Sequence, residues 1–391
     1  MSVTHNITGG LVHLSGNPIY ITLTASSARF NHRLALKVTR TTLQGVELMG
    51  SPSVEEIAPN NLVAVFDISG LVDYPAQYKF DYPAIGVASP YDLLACRVTI
   101  DIGEVWTDTA GKRQESWQNI SSNHQLRVMK GKLRQYELSA LNEAGKSFAS
   151  EYINGGKFLT HIPNFQKVAP NHIPRLWYLS RWTSNHNITA HLKFQTTNKV
   201  AHMPITQDFV LYDITGLVEF AFSPRHWDYY LDSLEQIESY EFWLSDSSGD
   251  ISERRTFLVD NGYYDESFTL YYVNPFSGID MIWLTGQHSA GIKIESETAY
   301  RPVAAGSGTK VASLKTISAT SQRTWEINTG VKTRAEMDAL RDFLEAKECW
   351  LVDPQNVNRL IPVVVENGDK TLYDSAEDIH HLSVKLQEAH R

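Results

Sequence analysis

One twelve-residue stretch occurs twice in this chain, and this internal repeat constrains the fold more than any other feature. Val63–Tyr74 reads VAVFDISGLVDY and Phe209–Phe220 reads FVLYDITGLVEF. Two acidic residues and two glycines stand at matching places in the copies: Asp67 with Asp213, and Gly70 with Gly216. A repeat of this kind indicates two copies of one structural unit. We interpret these four residues as structural, and we expect the glycines to occupy turns with positive φ.

The segments around the repeat match in the same order, which extends the duplication to whole modules. The matching pairs are Pro18–Leu23 with Pro174–Leu179, Ala35–Val38 with Ala190–Phe194, and the hairpin Cys96–Trp106 plus Lys112–Trp117 with Tyr240–Leu244 plus Ser252–Val259. Short strand-like runs with frequent turn signals are typical of antiparallel sandwiches. We therefore predict two duplicated immunoglobulin- or fibronectin-like β-sandwich modules, residues 1–165 and 166–265. The segment 133–170 between their strands is rich in loop residues.

The third region, residues 266–391, has a different pattern and predicts a mixed β-sheet domain with one packed helix. Strand-like runs flank the turn Asn274–Gly278, and further β runs cover Ile292–Ser296, Val311–Ile317 and Thr324–Asn328. The helix is predicted over Arg334–Lys347, because apolar residues recur there at helical spacing. Thr333 and Glu336 form a capping box at its start: a hydroxyl residue followed three positions later by a glutamate.

Composition excludes several classes of function. The chain has 391 residues and a net charge of -9, which disfavours nucleic-acid binding. Its two cysteines, Cys96 and Cys349, are far apart, so we predict buried thiols and neither a disulfide framework nor a zinc site. We expect no signal peptide, no membrane span and no cofactor.

Aromatic and acidic clusters are the strongest candidates for a binding site. Trp177, Trp182 and Trp227 are either a sugar-stacking platform or packing and interface residues. Weaker candidates are acidic or histidine-rich: the possible glycosidase carboxylates Asp228, Asp232 and Glu235, a calcium-like turn at 246–250, and His380 with His381. We favour a solvated helix face for the carboxylates, a hairpin turn for 246–250 and an ordinary loop or strand entry for the histidines, and we expect no metal site and no catalytic residue.

One segment of the third region resembles a family of phage proteins. Leu270–Gly286 is similar to a strand–Asn–x–x–Gly–x–Asp–strand–Thr–Gly block in structural tail-tip and baseplate proteins of tailed bacteriophages and prophages. Those proteins also carry segments like Leu340–Leu344, Trp350–Val352 and Pro362–Val364. The resemblance implies a distal or minor tail protein that assembles with copies of itself and with other tail proteins.

The function expected from this resemblance is structural: a virion tail component, made in the host cytoplasm, that acts through protein–protein contacts and is not an enzyme. Ring assembly would rest on the third domain. The alternatives are a carbohydrate-binding protein whose surface tryptophans recognise a host-surface glycan, and a glycoside-active enzyme with a hidden site.

Overall fold

The computed structural model describes most of the chain, and the fold is mainly β. The described residues are 3–42, 46–48, 50–73, 80, 82, 84–88, 94–120, 126–179, 187–197, 200–205, 217–224, 236–264, 266–300, 314–368, 370–372, 374 and 379–389. They form two compact units. Unit 1 contains residues 1–160, 164–260 and 274–279, and unit 2 contains residues 161–163, 261–273 and 280–391. The three-domain division predicted from the sequence stays a prediction.

Unit 1 is built almost entirely of short strands. In chain order they are β1 Val3–Ile7, β2 Val12–Leu14, β3 Tyr20–Ala25, β4 Arg33–Thr41, β5 Ser53–Ile57, β6 Val63–Asp67, β7 Gly86–Ala88, β8 Ala95–Thr107, β9 Arg113–Asn119, β10 Leu126–Met129, β11 Gln166–Val168, β12 Arg175–Leu179, β13 Thr189–Thr196, β14 Val200–Ile205, β15 Leu217–Ala221, β16 Ile237–Asp246, β17 Gly249–Asp250 and β18 Arg255–Val259. Their pairing defines four sheets within this unit.

The first sandwich packs the sheet β1-β3-β6 against the sheet β2-β10-β8-β4-β5, with β9 paired to β8. Alternation of apolar and polar residues places one side of each strand in a shared core. That core includes Ile21 and Leu23 of β3, Leu36 of β4 and Phe66 of β6, all fully buried. The hairpin β8–β9 confirms the prediction from the turn signal after Trp106.

The larger sheet of the second sandwich repeats the strand order of the first. The smaller sheets differ, because β1 pairs with β3, whereas β7 pairs with β15 and not with β12, the match of β3. In the second sandwich the larger sheet runs β11-β18-β16-β13-β14 with β17 paired to β16, and the smaller sheet runs β12-β15-β7. In both larger sheets the first pair is parallel and the next pairs are antiparallel. The shared order extends the internal repeat from sequence to topology. Strand β7 precedes position 166, yet it pairs with β15 and completes the smaller sheet of the second sandwich.

Aromatic side chains fill the core of the second sandwich. Tyr240 stacks on Phe257 with ring centroids 5.0 Å apart, and Phe222 stacks on Phe242 at 4.9 Å. Burial of large rings contributes strongly to stability, and offset or edge contacts add to it. The high aromatic content of this part of the chain therefore has a packing role.

Unit 1 also contains three helical segments, which the sequence analysis did not predict. They are α1 Ser69–Val72, α2 Gln135–Glu143 and a π-helix over Ala149–Ile153. The segment 133–170, predicted to be rich in loop residues, thus contains α2, the π-helix and strand β11 between its loops. None of the residues of α2 is buried, so its sequence lacks the apolar stripe by which helices are recognised.

Unit 2 is one seven-stranded sheet with a helix. Its elements are β19 Phe268–Val273, β20 Ile279–Leu284, β21 His288–Tyr300, β22 Leu314–Asn328, α3 Arg334–Leu344, β23 Cys349–Asp353, β24 Asn356–Val365 and β25 Ser383–Glu388. The order across the sheet is β20-β19-β23-β24-β25-β22-β21. The prediction of a β-sheet with one packed helix in this region is thus confirmed.

Helix α3 begins as predicted and ends three residues early. Thr333 Oγ1 accepts the backbone N–H of Glu336 at 3.3 Å, and the Glu336 carboxylate accepts the N–H of Thr333 at 2.8 Å. Met337, Leu340 and Phe343 of the helix join a core with strands of the sheet. The helix ends at Leu344 because Glu345 caps it and the chain turns toward β23.

Candidate assembly surface

Strands β21 and β22 form a long antiparallel hairpin at one edge of the sheet in unit 2. Their register runs from His288 opposite Ile327 to Tyr300 opposite Leu314, with a bulge between Glu297 and Thr298. β22 pairs with β25 only from Thr324 to Asn328. We call the remainder of the hairpin, residues 291–300 and 314–323, the β-arm.

One face of the β-arm continues the core face of the sheet. Trp325 and Ile327 are buried in the core of unit 2, and residues two apart on a strand point to the same side. Ala290 lies opposite Trp325 in the register, so Ile292 and Ile294 lie on this same side. They are 66% and 68% exposed, although isoleucine is normally among the most buried residues. Apolar residues of β21 therefore continue this face of the sheet into solvent, with Arg323 and Ser321 of β22 opposite them.

The opposite face of the β-arm is polar. It presents Lys293, Glu295 and Glu297 from β21, opposite Gln322, Thr320 and Ser318 of β22. Lys293 Nζ lies 3.1 Å from a carboxylate oxygen of Glu295, two positions along the same strand. This face of β21 thus carries one positive charge followed by two negative charges.

An ion pair anchors the base of the arm. The Arg323 guanidinium donates to both carboxylate oxygens of Glu388, at 2.9 and 3.1 Å, and lies 5.5 Å from the Trp325 ring centroid. The hydrogen bonds from Arg323 lower the pKa of Glu388, and those to Glu388 raise the pKa of Arg323. A forked contact of this kind fixes orientation as well as charge.

β21 is the last strand on its side of the sheet, so its outer backbone groups have no neighbouring strand among the described residues. Thirteen residues make it long compared with typical strands. Proteins usually protect such edges with short strands, prolines or coverage, because an open edge is a template for pairing with another chain. The exposed edge and the apolar face together define the candidate assembly surface.

The residues singled out by the internal repeat are structural where they can be placed. The carboxylate of Asp67 accepts the backbone N–H of Ile19 at 3.1 Å and that of Ser69 at 3.0 Å, which ties β6 to β3 and to helix α1. Gly70 lies inside α1, so the prediction of a turn with positive φ is wrong for this glycine. Asp213 and Gly216 lie outside the described residues.

Trp177, the first of the three tryptophans considered as an aromatic platform, is buried. Trp177 lies in β12, is only 2% exposed, and contacts Gly278 so closely that a Cβ added there would come within 2.8 Å of its ring. Its burial agrees with the packing alternative for this residue. Trp182 and Trp227 lie outside the described residues, as do Asp228, Asp232 and Glu235, so those hypotheses remain predictions.

The other candidate sites have structural explanations. In the turn at 246–250, the Asp246 carboxylate accepts the N–H of Ser248 at 2.7 Å, as in an ordinary hairpin turn. Both cysteines are buried, and desolvation, with a smaller effect of Glu348, raises the pKa of Cys349 to about 12. Within the described ranges, no cluster of three or more metal-ligating side chains occurs, and no helix is long and apolar enough to cross a membrane.

The sequence analysis predicted separate β runs in this region but did not predict that they form one long hairpin. Residues 314–328 form one continuous strand, whereas the sequence predicted two separate strands with a break before Thr324. The alternation Ile292, Lys293, Ile294, Glu295 was the available signal. It was ambiguous because alternation predicts one buried face, and here that face is exposed.

Comparisons with known proteins do not assign this chain to a family. A scan against models of protein families and a search of curated proteins both found no match.

Proposed function

We propose that this protein is a structural component of a phage tail tip or baseplate and that it assembles through the β-arm. The observation that carries the proposal is the exposed apolar face at Ile292 and Ile294, next to an open strand edge. A two-stranded ribbon of this length is only marginally stable in water by itself. Pairing with another chain would satisfy its backbone groups and bring the isoleucines of the two chains into contact.

The charge pattern of β21 fits a second copy of the same chain. If two β21 strands pair antiparallel with Ile294 opposite Ile294, Lys293 of each copy lies opposite Glu295 of the other. Both contacts then join opposite charges across the pair, and opposite charges at facing positions stabilise a sheet. An interface in which the same surface serves both partners is the commonest arrangement among homo-oligomers. Other tail proteins would contact the remaining surfaces.

Light scattering over a range of concentrations tests the assembly. We expect a discrete oligomer for the natural sequence and a monomer for Ile294→Glu, because the substitution places two carboxylates in the apolar contact. Lys293→Glu should also weaken assembly, by placing glutamates opposite each other. The matched control is the double variant Lys293→Glu with Glu295→Lys, which reverses both charges and should restore the oligomer.

A strict monomer at every concentration would refute self-assembly through the arm. The tail role has a separate test: mass spectrometry of purified phage particles from cells that carry the coding sequence. Recovery of this chain in tail fractions would support the proposal, and its absence from particles would refute it.

A further inference from the structure

A cleft in unit 1 has the composition of an anion-binding site. It has a volume of about 640 Å³, within the range of small-molecule pockets. Its walls come from the loop before β2, from β10, and from the segment between α2 and the π-helix. Its charged lining residues are Arg127 and Lys146, and none of the described residues that line it is an aspartate or glutamate. In a chain with net charge -9, such a cleft is distinctive.

Arg127 supplies the central observation. It lies on β10, where Leu126 and Val128 enter the core of the first sandwich, so its side chain points to the other face of the sheet. Its Nη1 atom is buried and has no hydrogen-bond partner among the described residues. Burial lowers the pKa of this guanidinium. A buried donor without an acceptor costs stability. The rest of this half-buried side chain lines the cleft, where its guanidinium can meet a ligand oxygen.

A second arginine lies beside the first. Arg97 on β8 is directly opposite Arg127 in the antiparallel register. Facing residues lie on the same side of a sheet, with Cβ atoms about 5 Å apart, and facing like charges repel. Arg97 does not line the cleft, but an anion bound to Arg127 would offset this repulsion.

The lysine of the cleft is only partly neutralised by its partner. Lys146 Nζ lies 2.6 Å from one carboxylate oxygen of Glu151, and Lys157 pairs with the other oxygen of the same group. The two lysines lower the pKa of Glu151 and hold it ionised. Two positive charges therefore share one negative charge. Lys146 lines the cleft, whereas Lys157 does not.

The remaining walls favour an organic anion over a bare ion. Leu11, Val12 and Ile153 give the cleft an apolar side, and Asn142, Ser147 and Ser150 add polar groups. A few convergent polar groups on an apolar wall are typical of small-molecule sites. We propose that this cleft binds a small organic anion, with its carboxylate or phosphate group on Arg127 and its apolar part against the opposite wall.

Isothermal titration calorimetry of the full chain tests this site with two probes, glutarate and inorganic phosphate, and with glycerol as a neutral control. We expect at least one probe to bind, and Arg127→Gln to weaken that binding about tenfold or more, because a charge-assisted hydrogen bond is lost. The probe that binds more tightly identifies the anionic group. Absence of binding by either probe up to about 10 mM would overturn the proposal.

A matched pair of variants separates the cleft from general charge effects. Lys146→Gln and Lys157→Gln each remove one positive charge and one ion pair to Glu151. We expect Lys146→Gln to weaken binding severalfold and Lys157→Gln to leave the Kd unchanged. Equal weakening by both would overturn the proposal. If Arg127→Gln fails to fold, the comparison of Lys146→Gln with Lys157→Gln still tests the proposal.

Discussion

At the scale of single residues, a buried ion pair lies within the second sandwich. Arg175 Nη1 of β12 lies 2.6 Å from Glu219 Oε1 of β15, and both side chains are almost inaccessible to solvent. The same guanidinium donates to the carbonyl oxygen of Ala84 at 3.3 Å and lies 4.7 Å from the Phe80 ring centroid. The pair thus joins the smaller sheet to a segment from the first part of the chain.

We expect Glu219→Ala to lower the free energy of unfolding by about 3–5 kcal/mol, because it leaves a buried positive charge without its partner. Replacing both residues by apolar ones, as Arg175→Met with Glu219→Leu, should recover most of this loss. Urea unfolding of Glu219→Ala and of the double variant measures both effects. A loss below about 1 kcal/mol for Glu219→Ala would show that the pair is not structurally important.

The internal repeat also shows that local sequence does not determine backbone conformation. Leu71 and Val72 end helix α1, whereas the corresponding Leu217 and Val218 begin strand β15. Almost identical residues therefore take different backbone conformations in the two modules. Propensity is a weak preference that tertiary contacts override, so the match could not predict which conformation each copy adopts.

At the scale of elements, the best-predicted feature is the start of helix α3. Its capping box satisfies backbone donors that would otherwise lack partners at the helix N-terminus. We expect Thr333→Ala to lower the free energy of unfolding by about 1 kcal/mol and Thr333→Ser to have little effect. Thermal or urea unfolding measures the difference. Equal losses for the two variants would show that the hydroxyl is not the stabilising group.

Helices and strands could be predicted from the sequence where the pattern of apolar residues matches the pattern of burial. The hairpins β8–β9 and β19–β20 and the helix α3 each combine a clear period with a turn or cap signal. Helix α2 was not predictable, because it has no buried face. The cleft at Arg127 was equally hidden, since its walls come from segments more than a hundred residues apart in the chain. Only folding brings them together.

At the scale of the whole molecule, many residues of the chain are exposed and contribute little to its hydrophobic cores. Residues 293–300 and 314–321 of the β-arm are all exposed or partly exposed. Stability depends on apolar area removed from water, so this segment adds little to the free energy of unfolding of a single copy. Its exposed isoleucines are explained if they become buried on assembly.

Deletion of the arm tests whether the arm serves assembly between copies and is not needed for the folding of a single copy. Residues 293–322 would be replaced by Asn-Gly, so that Ile292 and Arg323, which face each other in the register, close a tight hairpin. Arg323 then keeps its ion pair with Glu388. We expect the free energy of unfolding per copy to change by no more than about 1 kcal/mol, while light scattering shows a monomer.

The full-length variant Ile294→Glu is the control for this deletion, because it keeps the arm but places a charge on its apolar face. Both variants should be monomeric and should unfold like one another. If the deletion variant unfolds much more easily than Ile294→Glu, the arm belongs to the fold of the single chain. If it still forms the oligomer of the natural sequence, assembly uses another surface. Only a stable monomer in both cases assigns the β-arm to contacts between copies.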